Sequence, residues 1–126
     1  MYYLIKENFL FTELAYVGAA KYNVKLEKVI LKRIIKTSKT PEKLALNLIA
    51  PLLSEYEINN CTLYGNQQHK KEAVAENKRR AIRSAVFDKF GGEKEQNEQL
   101  WTKLTININD KIRGLKNGKY KKTVKY

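Results

Sequence analysis

The stretch Trp101-Thr102-Lys103-Leu104-Thr105-Ile106-Asn107-Ile108-Asn109-Asp110-Lys111-Ile112-Arg113-Gly114-Leu115-Lys116 decides the fold class. Its apolar residues Trp101, Leu104, Ile108, Ile112 and Leu115 are spaced 3, 4, 4 and 3 apart, the repeat of one helix face. At about 100° per residue these five fall within about 40° of Ile108. Lys103, Ile106, Asp110 and Arg113 project roughly 140° to 160° away, with Asn107 and Asn109 on the flanks. One face therefore packs and the other is polar and basic. Trp101, on the packing stripe, is expected in the core rather than stacked on a base. Ile106 is the odd member of the outer face: a contact for a thymine methyl or a partner subunit, or an exposed isoleucine with no further role.

Upstream, the polar run Glu93 to Glu98 and Gly91-Gly92 separate this helix from another over about Glu72 to Phe90. That helix is expected to turn Ala75, Ile82, Val86 and Phe90 inward and Arg80, Arg83 and Ser84 outward. Tyr64 to Lys71 has no apolar period and contains Gly65, so it reads as an exposed loop presenting Lys70 and Lys71. Ser54 and Glu57 stand at the spacing of a capping box, which predicts a short helix through Ile58, ended by Asn59-Asn60. Thr40-Pro41-Glu42 reads as cap, first-turn proline and first-turn acid, opening a helix with Leu44, Leu48, Ile49, Leu52 and Leu53 on one face. Pro51 limits that helix to about three turns.

The first 40 residues are harder to read. Val24, Leu26, Val29, Ile30, Ile34 and Ile35 among lysines predict an amphipathic helix over Val24 to Lys36, packed on the domain or lying on a membrane surface. Before it, a short helix over Glu13 to Ala20 capped by Thr12 and a strand over Tyr2 to Phe11 are equally compatible with the pattern. The expectation is an all-α fold, a small bundle of about four to five helices at 41–118. A 1–40 extension of uncertain structure precedes it and a basic tail, 119–126, follows.

With 126 residues the chain suits one domain. Its 25 Lys and Arg against 13 Asp and Glu leave a net charge of +12, which favours a polyanionic partner. The excess is uneven: residues 1–40 carry +5, residues 41–75 carry −1 and residues 76–126 carry +8. Nucleic acid suits this layout best, ahead of an anionic membrane surface or simple solubility. One cysteine, Cys61, precludes an intrachain disulfide and points to a reducing compartment. Lys6, Glu7 and Glu13 interrupt the apolar N-terminus before a signal peptide or spanning helix could form.

Four segments, in order, resemble the BEN domain. Leu46 to Ile58 is similar to that family's opening helix and the step after it, with Leu53 where phenylalanine is frequent. Cys61-Thr62-Leu63-Tyr64-Gly65 is similar to its short polar segment with glycine, and Ile82, Val86 and Phe90 match its long helix. Trp101 to Lys116 resembles its tryptophan followed by Ile-Asn-x-Lys-x-Arg, although Ile112 replaces a residue that is often cysteine. The polar Asn66 to His69 stretch and the proline depart from the pattern, and residues 1–40 have no counterpart. The resemblance implies an all-helical module of animal chromatin and transcription factors, and of some DNA viruses including those of insects, often repressive and dimeric. It implies duplex DNA as partner, with homodimerisation and chromatin or co-repressor contacts beside it, in the nucleus or a viral DNA compartment.

An enzyme would need a convergent set of groups. Cys61 and His69 form a nucleophile pair only on paper; the first reads as a small core residue and the second as a loop residue. Two potential soft ligands do not make a structural zinc site, so no metal, cofactor, small-molecule substrate or catalysis is expected. The DNA-contacting set is Lys70, Lys71, Arg80, Arg83, Lys103, Asn107, Asp110, Lys111, Arg113, Lys116, Lys119, Lys121 and Lys122. Arg113, Asn107 and Asp110 have the planar groups that read base edges, and the tail lysines grip phosphates. A rival with the same helices is a protein-interaction module whose basic surface is incidental.

Overall fold

The computed structural model describes residues 13–118. Its elements run β1 (Leu14–Tyr16), a 3-10 turn (Ala20–Tyr22), β2 (Lys25–Glu27), α1 (Lys28–Thr37), α2 (Pro41–Leu52), α3 (Glu55–Asn60), β3 (Cys61–Thr62), β4 (Tyr64–Asn66), β5 (Lys71–Ala73), α4 (Glu76–Phe90) and α5 (Lys94–Lys116). The chain is mostly helical, with five α-helices among the described residues, but two small sheets correct the all-α expectation.

Local chemistry sets the helix starts. The Thr40 hydroxyl accepts from the Lys43 amide at 3.1 Å, Pro41 fills the first turn, and α2 stops one residue after Pro51. In the Ser54 capping box the hydroxyl accepts from Glu57 N at 3.1 Å while the Glu57 carboxylate accepts from Ser54 N at 2.9 Å. That carboxylate also accepts from Ala75 N at 3.1 Å and from Lys78 Nζ at 2.6 Å, so one buried acid closes α3 and fastens it to the start of α4. The polar run before Trp101 holds no helix breaker after Gly92, and α5 absorbs it from Lys94 onward.

Trp101, Leu104, Ile108 and Ile112 of α5 are buried as their spacing requires. They share one core with Leu44, Ala45, Leu48 and Ile49 of α2 and Ala81, Ile82, Ala85 and Val86 of α4. Val17, Val24 and Leu31 belong to the same core, so the described part of the first 40 residues is built into the domain wall. Ser38, fully buried, accepts from Asn47 Nδ2 at 3.0 Å, and Lys89 of α4 donates to the carbonyls of Ser38 and Ile35 at the end of α1.

Several expectations fail because backbone pairing takes over where side-chain periodicity is short. The helix expected from Val24 begins only at Lys28, because Lys25–Glu27 pairs antiparallel with Leu14–Tyr16 in the register Ala15 to Leu26. The same pairing replaces a Glu13–Ala20 helix; the alternative strand over Tyr2–Phe11 lies outside the described residues. Between the strands Gly18, at φ +69°, passes so close to α4 that a Cβ there would stand 2.5 Å from the Ala81 carbonyl oxygen. Ser84, expected outward, faces this turn and accepts from Ala19 N at 2.9 Å.

The Tyr64–Lys71 loop is in fact most of a β hairpin. β5 lies between β3, to which it is parallel, and β4, to which it is antiparallel, with Tyr64 opposite Ala73 and Asn66 opposite Lys71. The Asn66 side chain accepts from His69 N at 3.2 Å to close the turn. α4 consequently starts at Glu76 rather than Glu72, leaving Ala75 as its exposed cap. Leu63 and Val74 seal the sheet against the core, and Leu63 N donates to Asn109 Oδ1 of α5 at 2.8 Å.

Candidate nucleic-acid interface

Arg79, Arg80 and Arg83 stand within five residues of α4, and at helical spacing they project toward a common side. With Tyr64 and Glu98 they line a cleft of about 370 Å³. Its wall is pinned at several points. Trp101 Nε1 donates to the Tyr64 hydroxyl at 2.8 Å, the Arg79 guanidinium lies 4.8 Å from the Tyr64 ring centre, and Arg79 donates to the Val74 carbonyl at 2.9 Å. Arg83 covers the Phe87 and Trp101 rings at 5.4 and 5.6 Å and reaches Glu98 at 3.0 Å. Arg80 is held by Glu76 one turn earlier at 2.7 Å, and that carboxylate raises its already high pKa.

A second cleft, of about 240 Å³, opens where the sheet meets the end of α5. Lys71, Arg113 and Lys116 supply its charge, Thr62, Asn109 and Asn117 its neutral polar groups, and Ile58, Cys61 and Ile112 its floor. The Lys71 ammonium beside it holds Lys116 below the ordinary lysine value, the signature of two like charges converging. Arg113 pairs with Asp110 at 2.8 Å, so the acid orients the neighbouring arginine. On the α5 wheel Glu98, Asn109, Arg113 and Lys116 fall within about 60° of one another. The two clefts therefore flank the same side of α5.

The expected contact set is divided by the fold. Lys71, Arg80, Arg83, Arg113 and Lys116 line the two clefts, while Lys70 is exposed in the hairpin turn at φ 56°. Lys103 and Asp110 are exposed on the outer face as the wheel requires. Asn107 instead turns toward α2 and donates to Glu42 at 2.8 Å, so its amide is already engaged rather than displayed beside Arg113. Lys111 is half-buried, and burial lowers its pKa. Lys119, Lys121 and Lys122 lie outside the described residues. Sequence reasoning missed Arg79 and Tyr64; the signal for the first was its i, i+4 relation to Arg83, whereas Tyr64 acquires its place only through the hairpin.

The paper nucleophile pair is not supported by its surroundings. Cys61 is buried, and burial with the nearby carboxylates pushes its thiol up, opposite to what a nucleophile needs, whereas His69 is exposed in the hairpin turn. No group of three or more His, Cys, Asp or Glu among the described residues could hold a metal ion, and no described helix is long and apolar enough to cross a membrane. Among known proteins, no family model matches the chain and no curated protein is a significant match.

Proposed function

We propose that the chain is a BEN-like DNA-binding module of a transcription or chromatin regulator, repressive in effect, which holds duplex DNA through its phosphates. The observation that carries this reading is the gathering of Arg79, Arg80 and Arg83 with Lys71, Arg113 and Lys116 along one side of α5. Guanidinium forks and ammonium groups that line neighbouring clefts suit successive phosphates, which fix a protein on the duplex without carrying sequence information. Sequence preference then falls to Arg113, whose fork matches a guanine edge; Asn107, held by Glu42 on the opposite flank of α5, takes no part in it. Lys119, Lys121 and Lys122, which follow α5 in the sequence, add further positive charge. The resemblance in motif order supports the same reading and adds the nucleus or a viral DNA compartment, a homodimer, and chromatin or co-repressor proteins as partners.

The test is a salt titration of the full chain against duplex DNA and, in parallel, an acidic polypeptide. Each neutralised phosphate contributes a log-log slope of about −0.9 by counterion release, so affinity for the duplex should fall steeply with salt. No duplex binding, or tighter binding to the polypeptide than to DNA at matched salt, refutes the proposal.

A further inference from the structure

The three arginines of α4 are not equally committed. Arg79 is part of the wall, stacked on Tyr64 and bonded to the Val74 carbonyl. Arg83 gives Glu98 one hydrogen bond, at 3.0 Å, although a guanidinium carries five N–H donors. Glu98 is the acid of α5 that lines this cleft, and its side chain keeps 57% of its exposure, so leaving costs little burial. The carboxylate facing Arg83 in the free protein is thus the protein's own. The cleft's volume, about 370 Å³, exceeds what one carboxylate fills.

We propose that this cleft binds a phosphate group, and that Glu98 is a resident competitor which the phosphate displaces from Arg83. Arg83 then grips the phosphate oxygens, Arg80 joins it by exchanging Glu76 for the phosphate, and the Tyr64 hydroxyl, anchored by Trp101, bounds the site on the sheet side. Phosphate suits the cleft better than a second carboxylate because the Arg83 fork, joined by Arg80 once it leaves Glu76, offers more donors than a planar carboxylate can satisfy. The origin of the phosphate, a diester within a strand or a monoester at a strand end, rests on the proposed DNA binding.

The test uses the full chain and Glu98→Gln, with Glu95→Gln as a control that removes the same charge from the same helix. Glu98→Gln should tighten duplex binding at low salt about two- to fivefold, the worth of an exposed ion pair, and Glu95→Gln should do distinctly less. The gain should vanish when Arg83→Ala is added, because the two residues act on one site. Inorganic phosphate alone should shift the Arg83 side-chain NMR signal, at lower concentration in Glu98→Gln than in the parent. A duplex with 5′-phosphate ends that outcompetes its 5′-hydroxyl twin through Arg83 assigns the phosphate to a strand end; equal binding of the two assigns it to the backbone. Equal gains for Glu98→Gln and Glu95→Gln, or an Arg83 signal indifferent to phosphate, overturn the inference. If the parent binds no duplex, the DNA reading fails by itself, and the phosphate titration still decides the cleft.

Discussion

Replacing Glu57 with alanine removes the buried joint between α3 and α4. The carboxylate accepts from Ser54 N, Ala75 N and Lys78 Nζ, and only 11% of the side chain is exposed, so solvent screens these contacts weakly. Breaking a buried pair costs about 3 to 5 kcal/mol, because the surviving partner is left uncompensated. Lys78 retains 25% exposure and can partly rehydrate, which places the expected loss toward the lower end, at about 3 kcal/mol. Against the roughly 5 to 15 kcal/mol that holds a domain together, that is a large fraction. Urea unfolding of parent and variant measures it directly. Burial works to raise the Glu57 pKa, but Lys78 and the two backbone amides outweigh it and the value is lowered. A carboxylate depressed in the folded state adds stability that is full above its unfolded pKa, about 4.3, and is lost as pH falls through the lower folded value. The parent should therefore weaken on that acid limb, and Glu57→Gln, which keeps the shape without the charge, should weaken less steeply there. A loss below about 1 kcal/mol in Glu57→Ala, or identical acid limbs for parent and Glu57→Gln, would refute the account of this joint.

Trp101→Ala should cost about 3 to 5 kcal/mol in the same unfolding assay, and it also frees the Tyr64 hydroxyl; a variant as stable as the parent would mean the inward face is misassigned. Gly18→Ala should destabilise by more than about 1 kcal/mol, since alanine is strained at positive φ and its Cβ meets the Ala81 carbonyl, whereas Gly118→Ala, with nothing within 4 Å of its Cβ, carries the backbone strain alone and should be milder. Arg113→Ala should weaken binding to a duplex site selected from a random library roughly ten- to a hundredfold and to scrambled DNA distinctly less, as competition titrations would record. Replacing Lys119, Lys121 and Lys122 should lower affinity for every duplex alike, and salt titrations should show the log-log slope flattened by roughly one unit for each phosphate no longer neutralised.

The helical framework was legible because it is written in side chains that repeat. Trp101, Leu104, Ile108 and Ile112 declare their face through spacing, and Thr40, Pro41, Ser54 and Glu57 declare helix starts through groups that satisfy backbone amides a few residues away. Such signals are local, so no knowledge of the rest of the chain is needed to read them. The net charge and its concentration after residue 76 are likewise properties of the sequence alone. Strands of two or three residues leave no comparable period: Tyr64–Asn66 and Lys71–Ala73 are held by backbone pairing, and their firmly buried neighbours, Leu63 and Val74, look the same in a loop. The division of the basic residues was decided only by tertiary structure. Arg80 and Arg83 share a cleft with Tyr64 because the hairpin carries that ring to α4, and Asn107 faces Glu42 because α2 lies against α5. Side chains far apart in sequence meet through the packing of separate elements, and no local spacing encodes which of them will meet.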